Sequence, residues 1–400
     1  MVDDINFQEL DALIGKYFSI LDMTYGGEKQ AFIVRYRGFI KAKDSTVAYQ
    51  EIEQALAGHH LLPVLKQDND GQILFLVQER QRGKPLGAHI NLVLFILTLI
   101  SVMATGGLYG YEGSLSGNTL QDLLELLKSG WPFALSLLTI LGAHEFGHYF
   151  AGKKHGVQVT LPFFIPLPLS LFGTMGAFIN MRSLPRDRRA LFDLAISGPL
   201  SGLAVSIIAL IIGLNLSTID QLPLVPPQGG MLQMEGNSLL YLLLKFAVFG
   251  KWLPQPQDIT GLALLKHWIQ YFFTGRPFPW GALDVMIHPV AWAGWAGLFV
   301  TGVNLLPAGQ LDGGHILYAL FGHKTSQRIF PIVITALVLM GFFWNVWWMW
   351  AVLVFFLGRR HAEPPDQITR LDSKRIALGY LAIAVFILTF IPVPIMFFGG

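Results

Sequence analysis

Runs such as INLVLFILTLISVMATGGLYG, residues 90–110, leave this chain few folds to choose from. About 20 consecutive apolar residues match the hydrocarbon thickness of a bilayer, and in lipid every backbone N–H and C=O must be satisfied by the protein itself. Runs of this length read as helices that cross a bilayer. Runs of this kind recur at 89–108, 131–152, 190–214, 284–306 and 376–397, in a chain that is 53% hydrophobic and only 14% charged. The apolar stretch at 328–357 exceeds one helix and reads as a hairpin of two spans turning near Trp344-Asn345, with Trp347, Trp348 and Trp350 as interfacial aromatics. The expected fold is a polytopic α-helical membrane protein of about seven transmembrane helices.

Residues 1–86 read differently. AFIVRYRGFIKA alternates like a strand, DSTVAYQEIEQALAGHH resembles an amphipathic helix capped by Asp44, and LLPVLKQDNDGQILFLVQE resembles a hairpin turning at Asp70-Gly71. A small soluble α+β domain is thus expected over 1–86, and a transmembrane domain over 87–400. Lys and Arg residues cluster at alternate span ends: Arg80, Arg82 and Lys84; Lys153 and Lys154; Arg182, Arg186, Arg188 and Arg189; and Arg359, Arg360, Lys374 and Arg375. The positive-inside rule makes that side cytoplasmic, so the N-terminus is expected inside and the C-terminus outside. Its acidic start, MVDDINFQEL, argues against a cleavable secretory signal. Two segments break the alternation. LPFFIPLPLSLFGTMGAFINM, residues 161–181, is apolar but interrupted by Pro162, Pro166, Pro168, Gly173 and Gly176, and it returns to the basic side it left, as a re-entrant loop would. The second, 215–283, is a Pro/Gly-rich outer insertion whose run LLYLLLKFAVFG either dips into the membrane or lies on it.

The chemistry is concentrated in TILGAHEFGHYFAGKK, residues 139–154. Ionisable groups at the centre of a bilayer cost about 2.5–3.5 kcal/mol each, and three within five residues call for a compensating cation. His144 and His148 share one helical face and can direct imidazole nitrogens at one metal ion, with Glu145 beside them as a base; this is the zincin arrangement HExxH. With no cysteine in the chain, a metal must be held by nitrogen and oxygen. Asp193, His155, His315 and Asp312 are candidates for a third ligand, and matching depth and side favour Asp312, whose alternative is to cap the helix that follows. A net charge of +2 without any block of like charge gives no sign of a nucleic-acid partner.

HEFGH together with Asn304, Pro307, Asp312 and Gly313, in the pattern N-x-x-P-x-x-x-x-D-G, resembles the paired motifs of the site-2 protease family of intramembrane zinc metalloproteases, peptidase M50. SGPLSG, residues 197–202, is similar to the small-residue motif in the family's third core span. GTMGAFI and HAEPPD, with no recognisable PDZ domain over 215–283, resemble the PDZ-lacking branch of photosynthetic bacteria and chloroplasts. The resemblance implies one catalytic zinc held by His144, His148 and Asp312, Glu145 as general base, Asn304 steadying the substrate or oxyanion, and a substrate-strand loop at Gly173, Thr174 and Gly176. It implies membrane-protein clients cut in or near their transmembrane segments, in a plasma or thylakoid-type membrane. Residues 1–86 are expected to recruit a regulatory partner. The alternative is a divalent-metal transporter, which has no need of a base such as Glu145 beside the ligands.

Overall fold

A computed structural model describes residues 7–27, 30–42, 45–68, 71–78, 87–111, 117–225, 232–256, 259–358 and 363–398. The expected cap at Asp44, the turn residue Asp70 and the basic residues Arg80, Arg82, Lys84, Arg359 and Arg360 lie outside the described residues.

The N-terminal part is α+β. Helix α1 (Phe7–Tyr17) buries Leu10 and Ile14, four residues apart, and leads into strands β1 (Phe18–Tyr25) and β2 (Val34–Ile40). Helix α2 (Ser45–Leu56) buries Ala48, Tyr49, Ile52 and Leu56 along one face, and strands β3 (Leu61–Asp68) and β4 (Gly71–Gln78) pair antiparallel as the sequence suggests. The sheet order β1-β2-β4-β3 leaves β3 at an edge. That edge is bridged at Leu65 by residues 365–367: Leu65 N–H donates to Pro365 O (2.8 Å), and Gln367 N–H donates to Leu65 O (3.0 Å). On its other side the same segment meets the chain ahead of the third long helix, where Asp366 N–H donates to Arg186 O (2.9 Å) and Arg186 pairs with Glu53 at 2.8 Å. These isolated bridges tie together three stretches remote in sequence. The buried Asp366 carboxylate accepts the backbone N–H of Ile368 (2.9 Å) and of Thr369 (3.1 Å). Asp366→Ala leaves those donors without their acceptor, for about 1–3 kcal/mol. A lower melting temperature in detergent and faster proteolysis between residues 1–86 and the rest are the expected results.

Three helices are long and apolar enough to cross a membrane among the described residues: α3 (Ala88–Gly110), α4 (Thr119–Lys154) and α5 (Arg188–Asn215). At 1.5 Å per residue the 36-residue α4 measures about 54 Å, well beyond the roughly 30 Å of a hydrocarbon core. Small residues bring α3 and α4 into close contact: a Cβ on Gly107 or Gly130 would meet backbone atoms of the facing helix at 2.2 Å or 1.8 Å. Between α4 and α5, the apolar loop forms an antiparallel hairpin of β5 (Phe163–Pro166) and β6 (Thr174–Phe178). Several of its backbone carbonyls accept hydrogen bonds from α3. Asn91 Nδ2 donates to Leu161 and Pro162 O, Ser101 Oγ to Gly173 O, and Tyr109 Oη to Leu171 O. The donors run from residue 91 to 109, about 27 Å of helix, which is what irregular apolar backbone needs away from water.

Strands β7 (Thr218–Gln221) and β8 (Leu232–Glu235), helices α6 (Leu239–Phe249) and α7 (Gly261–Thr274) and strand β9 (Leu283–Met286) follow. The run expected as a span from residue 284 thus opens as a strand, paired with β7, and its helix α8 (Pro289–Asn304) starts where Pro289 suits a first helical position. Helix α9 (Asp312–Met340) begins sixteen residues before the expected hairpin and is interrupted at Gly322 (φ 79°). A turn at 341–345 leads to α10 (Val346–Gly358), then α11 (Ser373–Thr389). The run expected to span 376–397 stops being helical after Thr389, because Pro392 and Pro394 supply no N–H; Ile395–Phe398 instead forms β10, paired with β8.

Candidate metal and active site

His144 and His148 lie one turn apart in the last third of α4, and Asp312 is the first residue of α9. The carboxylate of Asp312 does not cap its helix. The N-cap position is Leu311, without a side-chain cap bond, and Asp312 Oδ2 lies 3.5 Å from His144 Nε2 and 3.4 Å from His148 Nε2. The two Nε2 atoms are 3.1 Å apart. A tetrahedral ion bonded at about 2.0–2.1 Å holds its ligand atoms about 3.3–3.4 Å apart, so this group of two nitrogens and one oxygen fits zinc and leaves a fourth position open. It is the one group of three or more His, Asp or Glu residues with metal-binding geometry among the described residues.

Neighbouring groups fix the orientation. His148 Nδ1 lies 2.8 Å from Leu194 O; a carbonyl only accepts, so Nδ1 carries the proton and Nε2 presents its lone pair. Gly198 and Gly202 of α5 make room for the imidazoles: a Cβ on Gly198 would sit 2.1 Å from His148 Nε2, and one on Gly202 would sit 3.2 Å from His144 Cβ. On the α9 side, a Cβ on Gly313 would lie 2.1 Å from Leu305 O, so the turn between α8 and α9 closes tightly enough to bring Asp312 to the histidines only with glycine there.

A cavity of about 240 Å³ opens beside the group, lined by Glu145, Asn304, Gln310, His315, the end of β6 at Ala177 and Phe178, and Ile179 just after it. Glu145 is buried, next in sequence to His144. Asn304, the last residue of α8, places Nδ2 3.2 Å from His144 Nε2. The arrangement thus puts a carboxylate base and an amide donor around one small space beside a metal-binding group.

Of the other candidate ligands, His155 and Asp193 pair with each other (2.8 Å) and Arg375 clamps Asp193 from α11 at 2.8 and 2.6 Å, away from the cavity. Gly173 (φ 73°), Thr174 and Gly176 (φ 109°) shape the start of β6 against α3, whereas it is the far end of that strand that borders the cavity. Thr174 Oγ1 donates to Ile165 O (2.7 Å), closing the hairpin. Sequence reasoning missed Leu194, whose role lies in its backbone carbonyl and carries no side-chain signal. It also assigned SGPLSG only to helix approach, although the four-residue spacing of Gly198 and Gly202 matches that of the histidines they face.

The sequence profile of peptidase family M50 matches residues 132–344, from the middle of α4 through the turn after α9. The chain is similar to a probable zinc metalloprotease EGY2, chloroplastic, of Arabidopsis thaliana, 33% identical over 281 residues, which are 70% of this chain and 45% of that protein. It is also similar to a probable zinc metalloprotease EGY1, chloroplastic, of Oryza sativa subsp. japonica (29% over 322 residues, 76% and 50%) and to a probable zinc metallopeptidase EGY3, chloroplastic, of Arabidopsis thaliana (27% over 269 residues, 65% and 42%). The chain spans about half the length of these relatives. The matched region runs through both halves of the metal-binding group, HEFGH on α4 and Asp312 on α9, and on that ground the chain belongs to peptidase family M50, the site-2 protease family.

Proposed function

We propose that this protein is an intramembrane zinc metalloprotease that hydrolyses peptide bonds in or near transmembrane segments of client membrane proteins. The observation that carries this reading is the 3.1–3.5 Å triangle of His144, His148 and Asp312 beside Glu145 and Asn304 in one cavity. His144, His148 and Asp312 would hold one zinc ion, which when bound lowers the pKa of water towards about 7 and polarises a carbonyl. Glu145 accepts the proton of the attacking water and returns it to the leaving amine. Asn304 donates its amide N–H to the carbonyl oxygen as that oxygen gains charge. The burial of His144 and Glu145 lowers the local dielectric and strengthens both interactions.

A client helix must unwind to be cut, and its freed N–H and C=O groups then need partners in lipid. Adding the unwound segment as a strand along β6 meets that need and leads it past Ala177–Ile179 to Glu145. Gly173, Thr174 and Gly176 hold the hairpin in shape for this. Residues 87–400 form the membrane domain, with about seven spans in a plasma or thylakoid-type membrane, the 161–181 loop re-entrant and the basic span ends cytoplasmic. Residues 1–86 form a cytoplasmic module that receives a regulatory partner, and its pairing with residues 363–369 carries that signal to the start of α5.

Metal analysis of the purified protein is expected to find about one zinc per chain, and His144→Ala is expected to lose it. Stripping the zinc with a chelator should abolish cleavage of a single-span substrate in proteoliposomes, and zinc should restore it. Cleavage undiminished in zinc-free protein would overturn the proposal.

A further inference from the structure

Helix α6 is inside out with respect to water. Its single charged residue, Lys245, is fully buried, with Nζ 3.5 Å from Asp284 Oδ1 and 4.7 Å from the Tyr241 ring centroid. Tyr241 in turn donates to Glu235 (2.9 Å). The residues that α6 turns outward are Leu239, Leu243 and Phe246, each at least 40% exposed. A helix that hides its lysine and presents leucines matches a solvent in which charge is costly and apolar surface is not.

Helix α7 divides into three sectors at 100° per residue. Tyr271 faces the protein, packed with Val393 and Met396. Leu262, Leu265, Ile269 and Phe273 form one exposed stripe, with Leu262 85% exposed, and Lys266 and Gln270 form a polar stripe immediately beside it. An apolar and a polar sector side by side on the outer surface is the pattern of a helix lying along a membrane–water boundary.

The rest of the molecule sets the level of this surface. The cluster that holds Tyr271 also packs Trp344, in the turn between α9 and α10, and Trp348 just beyond that turn is exposed, as tryptophans at an interface are. Helix α6 packs against α5 and α11, and α5 itself exposes Ile208, Ile211 and Ile212.

We propose that α6 and α7 form a platform embedded in the outer leaflet, with α6 among the acyl chains and α7 in the interface plane, its Leu262–Phe273 stripe covered by lipid. The inference rests on the membrane-spanning reading of the chain and is independent of its proteolytic activity. The chain has no cysteine, so single-cysteine nitroxide labels report cleanly in lipid nanodiscs. At Leu243→Cys, Leu265→Cys, Ile269→Cys and Phe273→Cys, collisions with oxygen should exceed those with a water-soluble nickel chelate, by a ratio several-fold higher than at Lys266→Cys and Gln270→Cys. Leu97→Cys on α3 is the control for the membrane reading itself. Lipid signals at Leu97 with nickel-accessible labels on the α7 stripe would overturn the platform alone; nickel access at both would overturn the membrane reading with it. Low collision with either reagent would reveal a covering protein, and dipolar broadening between labels a second copy; both contradict lipid contact.

Discussion

Gly198→Ala is expected to weaken zinc binding and, with it, proteolysis while keeping the fold. The new methyl carbon would stand 2.1 Å from His148 Nε2, the atom that faces Asp312, so the imidazole must leave its place. Overpacking of this kind costs about 1–3 kcal/mol, and here the ring that must move is the proposed ligand itself, so the strain falls on metal binding. That corresponds to roughly five- to 150-fold weaker zinc affinity, since each 1.4 kcal/mol is tenfold. A graded series isolates the cause. Gly202→Ala meets His144 Cβ at 3.2 Å and should be milder, and Gly142→Ala, with no atom within 4 Å of the added carbon, should retain full zinc. The measurement is zinc affinity by competition with a chromophoric chelator across the three variants. Equal affinities would show that α5 does not set the position of the histidines.

Much of this arrangement can be read from residues alone, for identifiable reasons. His144, Glu145 and His148 are local: helical periodicity puts the two imidazoles on one face, and burial of ionisable groups in an apolar run leaves few other uses for them. Asp312 needs a long-range argument, because its carboxylate could equally have capped α9, and only the distances to the histidines decide. The strand pattern of residues 31–78 is legible because period-two alternation carries its own signal, and β2, β3 and β4 form as expected. Hydropathy is less informative at the outer side. It registers most of the strands Leu283–Met286 and Ile395–Phe398, from residue 284 and up to residue 397, as parts of spans, although prolines at 289, 392 and 394 mark where helix starts or stops. Nor does hydropathy tell which way Lys245 turns, since its buried ion pair is with Asp284, 39 residues further along the chain. The bridge between Leu65 of β3 and residues 365–367 is made by backbone groups, which leave no trace in side-chain patterns, and the Lys66–Glu363 pair beside it joins residues too remote in sequence to be matched from the residues alone.

Glu145→Gln is the most direct test of the central claim that Glu145 activates water beside a metal held by His144, His148 and Asp312. The amide matches the carboxylate in size and still hydrogen-bonds, but it has no basicity with which to take a proton from water or return one to the amine. General acid–base catalysis contributes about 10²–10⁴-fold, so a loss of that order is expected. Zinc content should be unchanged, because none of the three proposed ligands is touched. A divalent-metal transporter would behave otherwise, with flux across proteoliposomes sensitive to the ligands and no cleavage by either form. The decisive measurement is the cleavage rate of a membrane-inserted single-span substrate by wild type and Glu145→Gln at matched zinc content. The account gives a fall of at least about 100-fold with zinc retained; equal rates in the two proteins would contradict it.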